Sequence, residues 1–187
     1  MCGIAGYINF DKKINKERFD KMVDIIEHRG PDDRGTYYHE GLALGHRRLS
    51  IIDLSSDGHQ PFFYKERYVI IFNGEIYNYQ SLREDLINKG HIFKNDSDTE
   101  VLLHAYEEYG EDMLNQLRGM FAFVIWDSKK ELLFGARDFF GIKPFYYTII
   151  NGNIVYGSEI KSILEYPHFK KEVNLYKLFQ KAPRRFC

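Results

Sequence analysis

The sequence predicts a layered α+β fold in which antiparallel strands outnumber the helices. Two pairs of apolar segments each flank a short turn, a pattern typical of hairpins: residues 119–127 with 131–137, and residues 145–150 with 153–156. The turns, Asp127-Ser-Lys-Lys130 and Asn151-Gly152, are too short for the crossover that a parallel pair needs. Helical spacing of apolar residues recurs in only a few separate segments, so a doubly wound parallel sheet is not expected.

The N-terminal half alternates between strand and helix signals. Residues 2–10 read as a strand rich in small residues. A helix is predicted over residues 16–27, because its apolar side chains share one face: Phe19, Met22, Val23 and Ile26. Gly30-Pro31 cannot continue a helix and ends it. Short, half-buried strands are predicted at residues 36–39, 42–46 and 68–72.

Two amphipathic helices are predicted in the middle of the chain, over residues 79–88 and 98–109. Asp98 is placed to cap the start of the second helix. A last helix is expected to begin near Ser158. After Pro167 the periodicity weakens and the chain ends in a basic stretch. This predicts one domain over residues 1–165 and, over residues 166–187, a linker or the truncated start of a further domain.

The composition is that of an ordinary globular protein, with 187 residues of which 44% are hydrophobic and 28% charged. A formal net charge of −1 argues against a nucleic-acid-binding module, which would carry a basic surplus. The longest apolar run, residues 121–126, is far shorter than the roughly 18 residues that cross a bilayer. The first residues lack the pattern of a secretory signal. We therefore expect a cytoplasmic protein that binds neither nucleic acid nor membrane.

Cysteine occurs only as Cys2 and Cys187, which excludes the disulfide framework of a small secreted domain. Metal-ligand spacings of the CxxC and HExxH types are absent, and so is a glycine-rich nucleotide-binding loop. No metal or cofactor is therefore expected in this chain.

Cys2 is the first candidate for chemistry. Removal of Met1 would leave Cys2 with a free α-amine beside its thiol, so that nucleophile and base share one residue. An α-amine has a pKa of about 7.7 to 8.0 and accepts a proton readily near neutral pH. The alternative is a small, buried, apolar cysteine on an edge strand.

Attack of a thiol on a carboxamide makes an oxyanion, which needs hydrogen-bond donors held in place. Asn73 and Gly74 directly follow the predicted strand over residues 68–72 and offer a side-chain and a backbone N–H. The alternative is an Asn-Gly hairpin turn. The sequence after Glu75 leads into a helix rather than a returning strand, which weakens that alternative.

Charged residues that could hold a substrate lie nearby in the sequence. Arg48 offers a bidentate fork for a carboxylate, although most such arginines are surface charges. Glu75 and Asp98 could hold an ammonium group, with a helix cap as the alternative for Asp98. Other charged segments are expected to be structural: His28, Arg29 and Asp32 as core or turn residues, and residues 137–144 as a salt-bridged loop.

Taken together and in this order, these motifs resemble the N-terminal glutaminase domain of glutamine-hydrolysing asparagine synthetases, the class II amidotransferase type. The resemblance spans residues 2–164 and rests on eight motifs: Cys2-Gly-Ile-Ala-Gly6, His28-Arg-Gly-Pro-Asp32, Arg48-Leu-Ser-Ile-Ile-Asp53, Phe72-Asn-Gly-Glu-Ile-Tyr-Asn78, Ser97-Asp-Thr-Glu100, Gly119-Met-Phe-Ala-Phe123, Arg137-Asp with Gly141-Ile-Lys-Pro144, and Ser158-Glu-Ile-Lys161. The Asn-Gly-Glu-Ile-Tyr-Asn and Gly-Ile-Lys-Pro-Phe-Tyr-Tyr segments are more similar to synthetases than to sugar-phosphate or phosphoribosyl amidotransferases.

The resemblance implies an N-terminal-nucleophile hydrolase fold, a four-layer sandwich of two antiparallel sheets between helical layers. It also implies the role of each site residue in turn. Cys2 becomes the nucleophile that forms a γ-glutamyl thioester, and Asn73 with Gly74 the oxyanion hole. Arg48 binds the α-carboxylate of L-glutamine, while Glu75 and Asp98 take its α-ammonium. Backbone groups line the pocket at Leu49, Ile51 and Ile52.

The sequence departs from the family at its C-terminal end. Family members continue into a synthetase domain with a Ser-Gly-Gly-Leu-Asp-Ser type loop, and this sequence contains no such loop. ATP and Mg²⁺ are accordingly expected only for the missing domain, or partner chain, that receives the ammonia. Two alternative functions remain. One is a non-catalytic glutamine- or partner-binding module that retains Met1, and the other is an amidotransferase acting on a sugar carboxylate in envelope polysaccharide synthesis. A second copy of the chain, in a homodimer, is a further partner to consider.

Overall fold

The computed structural model describes residues 1–50 and 58–172. In these residues the strands are β1 (Gly3–Ile8), β2 (Asp33–His39), β3 (Leu42–Arg48), β4 (Phe62–Tyr64), β5 (Tyr68–Ile76), β6 (Gly119–Asp127), β7 (Leu132–Arg137), β8 (Tyr146–Ile150) and β9 (Asn153–Gly157). The α-helices are α1 (Lys16–Asp24), α2 (Tyr79–Asn88), α3 (Asp98–Tyr109) and α4 (Ile160–Ile163), with short 3-10 helices at Glu27–Arg29 and Gly110–Asn115.

The described strands form two antiparallel sheets. One has five strands in the order β2-β3-β1-β9-β8, and the other has four in the order β4-β5-β6-β7. β1 therefore lies in the middle of its sheet, with Ile4 opposite His46 of β3 and Ala5 opposite Gly157 of β9. The first strand of the chain is thus held between a partner about 40 residues later and one about 150 residues later.

Alternation of side chains along each strand builds the layers. Ala5 and Tyr7 of β1 face α1 and α4, whereas Ile4 faces the other sheet. On β5, Ile70 and Phe72 pack against α2 and α3, while its odd-numbered neighbours Val69 and Ile71 turn towards the five-stranded sheet. Three apolar layers result, one between the sheets and one under each helical layer. This confirms the predicted four-layer sandwich.

Several predicted element bounds are corrected by the structure. α1 ends at Asp24 and is followed by the 3-10 helix, so the helix predicted over residues 16–27 is too long. β5 does not stop at Phe72 but continues to Ile76, because β6 supplies backbone partners along its whole length. β2 begins at Asp33, three residues earlier than predicted.

The predicted cap of α3 was wrong by one residue. Ser97 is the cap: its backbone is extended and its side chain accepts a hydrogen bond from the Glu100 N–H at 3.2 Å. Asp98 is the first helical residue, and its carboxylate instead accepts a hydrogen bond from the Ile76 N–H at 3.1 Å. The carboxylate therefore joins α3 to the end of β5.

The described chain ends beyond α4. Tyr166 is buried and packs edge-on against Tyr7, with ring centroids 5.1 Å apart. The predicted boundary between residues 165 and 166 stays a prediction, and residues 173–187 lie outside the described residues. Among the described helices, none has the length and apolar character needed to cross a membrane.

Candidate active site

A cavity of about 270 Å³ opens where strands from both sheets end. It brings together seven residues that the sequence predicted for the site: Cys2, Arg48, Leu49, Asn73, Gly74, Glu75 and Asp98. Four further residues complete its lining: Met1, Ser50, Met120 and Lys143. The two other predicted pocket residues, Ile51 and Ile52, lie outside the described residues.

Strand alternation explains why these side chains meet. A side chain at Gly3 would contact Ile26 and Arg29 on the α1 side, so Cys2 faces the opposite, inter-sheet side. Arg48 lies four residues after Leu44 on β3, so both side chains are on the same face of the strand, and Leu44 belongs to the inter-sheet core. Asn73 follows Ile71 on the same face of β5. Three separate strands thus aim polar side chains into the space between the sheets.

Cys2 immediately precedes the central strand β1 and is half-buried. Its Sγ lies 3.5 Å from the backbone nitrogen of Leu49, which donates to it, and 3.9 Å from the Leu49 carbonyl oxygen. The alternative of a cysteine on an edge strand is therefore wrong, because β3 and β9 flank β1 on both sides. The Leu49 N–H thus holds the sulfur in place at the wall of the cavity.

Arg29 holds the backbone of Cys2, a role that the sequence analysis missed. Its Nε donates to the Cys2 carbonyl at 3.0 Å, and its Nη1 lies 3.2 Å from Glu159, which also accepts from His28 at 2.8 Å. Burial alone would raise the pKa of Glu159, but hydrogen bonds from His28, Lys161 and Arg29 bring it below its usual value. The signal available in the sequence was only a charged 28–32 segment, which has many structural explanations.

Asn73 and Gly74 lie inside β5 and not in a turn, so the hairpin-turn alternative is wrong. Asn73 is 1% exposed, and its Nδ2 has no hydrogen-bond partner within the described residues. An unpaired buried N–H₂ group is costly and rare in native proteins. Asn73 therefore places an unpaired donor in the wall of the cavity.

The backbone N–H of Gly74 points away from β6. Even-numbered residues of β5 turn their N–H groups to the other edge: Phe72 donates to Gln60 Oε1 at 2.6 Å, and Ile76 donates to Asp98. Beyond Ile70, β4 no longer pairs with that edge. Gly74 lies between these two donors, so its N–H faces the open edge beside the cavity.

His46 supports this stretch of β5 from the neighbouring sheet. Its Nε2 lies 3.0 Å from the Phe72 carbonyl oxygen, which assigns the ring proton to Nε2 as donor. Burial lowers the pKa of His46 to about 4, so the ring is neutral near pH 7. A neutral, fully buried ring fixes the strand that carries Asn73 without adding charge to the site.

Two carboxylates form an acidic end of the cavity. Burial raises the pKa of Asp98; the Ile76 and Thr99 N–H groups lower it in part, and the nearby Glu75 carboxylate raises it further. A carboxylate with a raised pKa is under-stabilised in its charged form. A bound cation would relieve this, so the acidic end suits an ammonium group.

Arg48 lies at the end of β3, where its backbone carbonyl accepts from Asp32 at 3.0 Å. Asp32 in turn accepts from the Ser50 N–H at 2.7 Å, which holds the segment after the strand. A side chain at position 58 would collide with the Arg48 guanidinium, so Gly58 allows the guanidinium to pack against the backbone there. Arg48 thus supplies a cationic group at the cavity, in the same lining as the two carboxylates.

Lys143 is a second basic residue of the cavity and was not predicted. It lies in the loop after β7, which was expected to be salt-bridged. That expectation was wrong: Arg137 donates to the carbonyl of Lys143 at 2.6 Å, and Asp138 accepts backbone N–H groups, including that of Lys143 at 2.9 Å. The backbone bonds place Lys143 in the lining while Phe139 and Phe140 remain 95% and 83% exposed.

Comparison with known proteins gives clear similarities in sequence. The chain matches the glutamine amidotransferase domain family over residues 1–183. It is 45% identical over 193 residues to asparagine synthetase [glutamine-hydrolyzing] 3 of Bacillus subtilis (strain 168), an alignment that covers 99% of this chain and 31% of the relative. It is 50% identical over 169 residues to asparagine synthetase [glutamine-hydrolyzing] 1 of the same organism, covering 88% of this chain and 27% of the relative.

Among solved structures, the fold is similar to that of the glutamine phosphoribosylpyrophosphate amidotransferase from B. subtilis complexed with ADP and GMP. The TM-score is 0.72 at 22% identity, over 87% of this chain and 43% of that one. This likeness concerns the fold alone. The chain spans about a third of the length of the curated relatives it matches.

Proposed function

The chain belongs to the family of glutamine amidotransferase domains, and from this premise we propose that it hydrolyses L-glutamine to L-glutamate and ammonia. The observation that carries the proposal is the unpartnered, buried Nδ2 of Asn73 in the same cavity lining as the Cys2 thiol. A nucleophile and a donor without a partner are the two parts that acyl transfer from an amide needs.

The first step uses Cys2 after removal of Met1. The freed α-amine accepts the thiol proton, and the sulfur attacks the side-chain amide carbon of glutamine. A carbon–sulfur bond forms while the carbonyl π-electrons move to oxygen. Arg29 positions the nucleophile, because its bond to the Cys2 carbonyl fixes the backbone that carries both the amine and the thiol.

Asn73 Nδ2 and the Gly74 N–H stabilise the resulting oxyanion. When the intermediate collapses, the carbon–nitrogen bond breaks, and the amine returns its proton to the leaving nitrogen so that ammonia departs. Water then attacks the γ-glutamyl thioester with the amine as base, which releases glutamate and regenerates the thiol. His46 behind β5 contributes through its hydrogen bond to the Phe72 carbonyl, which fixes the strand that carries Asn73, and not through charge.

Charges of both signs in the cavity lining select an α-amino acid. Arg48 offers two parallel N–H donors to the α-carboxylate, and Glu75 with Asp98 receives the α-ammonium. The raised pKa of Asp98 means that binding an ammonium group restores a favourable environment to its charged form.

The test is glutamate formation from glutamine by the purified chain, without ATP, in the wild type and in Cys2→Ala. The substitution removes the nucleophile and little volume, so we expect activity to fall to background while the circular dichroism spectrum is unchanged. Cys2→Ser should also be poor, since a hydroxyl is much harder to deprotonate than a thiol of pKa about 8.5. Wild-type rates in Cys2→Ala would reject the proposal. Intact mass checks the requirement that Met1 is lost.

We further infer that the ammonia passes to an asparagine-synthetase-type region outside these 187 residues, because both synthetase relatives extend far beyond the matched part. ATP and Mg²⁺ are assigned to that region and not to this cavity, and the cytoplasm is the proposed location. The competing acceptor is a sugar carboxylate. Adding the chain to a separately purified synthetase region and assaying asparagine formation from aspartate, ATP and glutamine would discriminate the two acceptors.

A further inference from the structure

We propose that His91, His104 and Glu107 form a binding site for a transition-metal ion of the zinc type, separate from the candidate active site. One ligand atom from each residue lies within 4.8 Å of the others. His104 and Glu107 are three residues apart on α3 and so share a face, and His91 comes from the segment that follows α2.

The two imidazole rings meet through the same type of atom. Nδ1 of His91 lies 2.9 Å from Nδ1 of His104, and Glu107 Oε2 lies 3.9 Å from Nδ1 of His91. The three groups are largely removed from solvent, since the side chains of His91, His104 and Glu107 are 9%, 0% and 22% exposed. They therefore converge on a protected point instead of spreading over a surface.

Carboxylates on the far side of each ring set where the ring protons go. His91 Nε2 lies 3.1 Å from Glu108, and the carboxylate nearest to His104 Nε2 is Glu100 at 3.7 Å. A ring proton is favoured on the nitrogen that faces a carboxylate, which leaves both Nδ1 lone pairs facing each other. Two lone pairs at 2.9 Å repel unless positive charge lies between them, either as a ring proton shared in a hydrogen bond or as a metal ion.

A metal ion supplies that charge, and carboxylates behind the ligating histidines are the usual surroundings of such an ion. His104 adds an independent observation, because its Nε2 is buried without a hydrogen-bond partner in the described residues. The gap of 3.7 Å to Glu100 leaves room for the ring to move towards that carboxylate as the ion draws the ligands into place.

The ligand set fits zinc in number and kind. Two imidazole nitrogens and one carboxylate oxygen leave a fourth tetrahedral position for water. With metal–nitrogen bonds of about 2.0–2.1 Å, tetrahedral geometry separates the two nitrogens by about 3.3 Å. The observed 2.9 Å therefore has to widen by about 0.4 Å, a small rotation of one ring.

Access and competing charge are both compatible with binding. A cavity of about 410 Å³, with Tyr64, Lys65 and His91 in its lining, opens at the site. Lys65 donates to both Glu107 oxygens at 2.8 and 3.0 Å, so the ion must displace it. The Lys65 side chain is 57% exposed and can turn into solvent. Lys89 pairs with Glu108, and Lys94 contacts Glu100 through its backbone N–H, so of the lysines around this cavity only Lys65 has its ammonium group on a proposed ligand.

The test is a titration of the full chain with Zn²⁺ against a coloured chelator, followed by Co²⁺ as a spectroscopic probe. The chain is first stripped of metal and its cysteines are alkylated, so that thiols contribute nothing. We expect one ion per chain, a raised melting temperature on adding Zn²⁺, and intense visible absorption typical of tetrahedral cobalt. His168→Gln, which removes an exposed histidine outside the site, is the matched control and should behave as the wild type.

His91→Gln and Glu107→Gln each remove one ligand. We expect each to weaken binding by more than the roughly 10- to 100-fold that loss of an outer partner costs. Glu107 is partly exposed, so its variant tests the site even if His91→Gln fails to fold. Absence of Zn²⁺ uptake by the wild type, or equal affinity in the wild type, Glu107→Gln and His168→Gln, would overturn the proposal and leave a shared proton between the rings.

Discussion

Asp98 and Asp138 both lie near the end of the β5–β6 pairing where Ile76 faces Gly119, yet their pKa values are shifted in opposite directions. Asp138 accepts backbone N–H groups of Phe121, Ile142 and Lys143 at 3.2, 2.8 and 2.9 Å. Although burial alone would raise its pKa, these bonds bring the pKa of Asp138 below its ordinary value. Burial and the Glu75 carboxylate instead leave the pKa of Asp98 raised.

This difference shows that Asp138 stabilises the fold, whereas Asp98 is available to bind a ligand. The backbone N–H groups around Asp138 already have their acceptor in the folded chain, so these hydrogen bonds stabilise the fold without any ligand. The cavity keeps an unpaired amide at Asn73 and an under-stabilised carboxylate at Asp98, both of which a substrate can satisfy. Substitutions should therefore affect stability in the loop and turnover in the cavity.

The largest expected effect is that of Asn73→Ala. Loss of one oxyanion donor should lower kcat by about 10²–10³-fold, equivalent to about 2.7–4 kcal/mol in the barrier. The melting temperature should change little, because Nδ2 forms no bond that the fold would lose. Asn153→Ala is the control: this buried asparagine accepts from the Phe10 N–H at 3.0 Å, so its loss should lower stability and spare kcat. A rise in KM alone for Asn73→Ala would contradict the assigned role.

Asp138→Ala should show the reverse pattern, with a loss of about 3 kcal/mol in the free energy of unfolding, since buried N–H groups become unpaired. Its lowered pKa predicts that this contribution is present above the ordinary aspartate value of 3.8 and is lost as the pH falls towards the folded-state pKa. Urea unfolding of wild type and variant at neutral and at acid pH measures both. A constant difference across this range would show that the carboxylate charge is irrelevant.

Arg48→Lys tests whether the cavity recognises its substrate by geometry as well as charge. A lysine cannot reproduce the bidentate fork, and a charge-assisted bond is worth roughly 1.5–3 kcal/mol, so kcat/KM for glutamine should fall roughly 10- to 100-fold. It should fall further than KM rises, because remote binding energy also orients the amide. An analogue without the α-carboxylate should lose little more in the variant. Equal proportional losses on both compounds would place the effect in the fold.

Asp98→Asn should change the stability least, and the sign of that change shows whether the charged carboxylate supports the fold. A folded-state pKa above the unfolded one means that the folded chain binds the proton more tightly, so the stability from Asp98 is present at low pH and lost as the pH rises. The asparagine avoids that loss and can still accept from Ile76. We expect a slight gain in melting temperature near pH 7 together with a raised KM for glutamine. A loss of stability at pH 7 would show that the carboxylate charge supports the fold.

Much of the fold was predictable because it depends on local pattern. Apolar segments on either side of a short turn located the hairpin over residues 119–137, and the Asn-Gly signal located the turn at Asn151-Gly152; the structure confirms both. The extent of β5 was not predictable in this way. Gly74 is unfavourable within a strand by propensity, and only its pairing with Phe121 of β6, far along the chain, extends the strand through it.

The site was predictable as a set of residue types and not as a set of contacts. The order of the motifs predicted that Cys2, Asn73 and Asp98 belong to one site, and the structure places them around one cavity. The bond from Arg29 to the Cys2 carbonyl and the entry of Lys143 could not be predicted, because each joins elements distant in sequence. Which distant elements of the chain come into contact cannot be deduced from local patterns in a single sequence.

The position of β1 between β3 and β9 sets an order of events during synthesis. Its second neighbour emerges from the ribosome more than 100 residues after its first, which at ordinary elongation rates takes roughly 5 to 20 seconds. Throughout that interval one edge of β1 has no strand beside it, and Ile4 lacks the two bonds that Ser158 later makes. Removal of Met1, which the proposed mechanism requires, would in that interval act on an N-terminal segment that is held on one side only. β1, and with it the position of the adjacent Cys2, is therefore fixed on both sides only once β9 has been made.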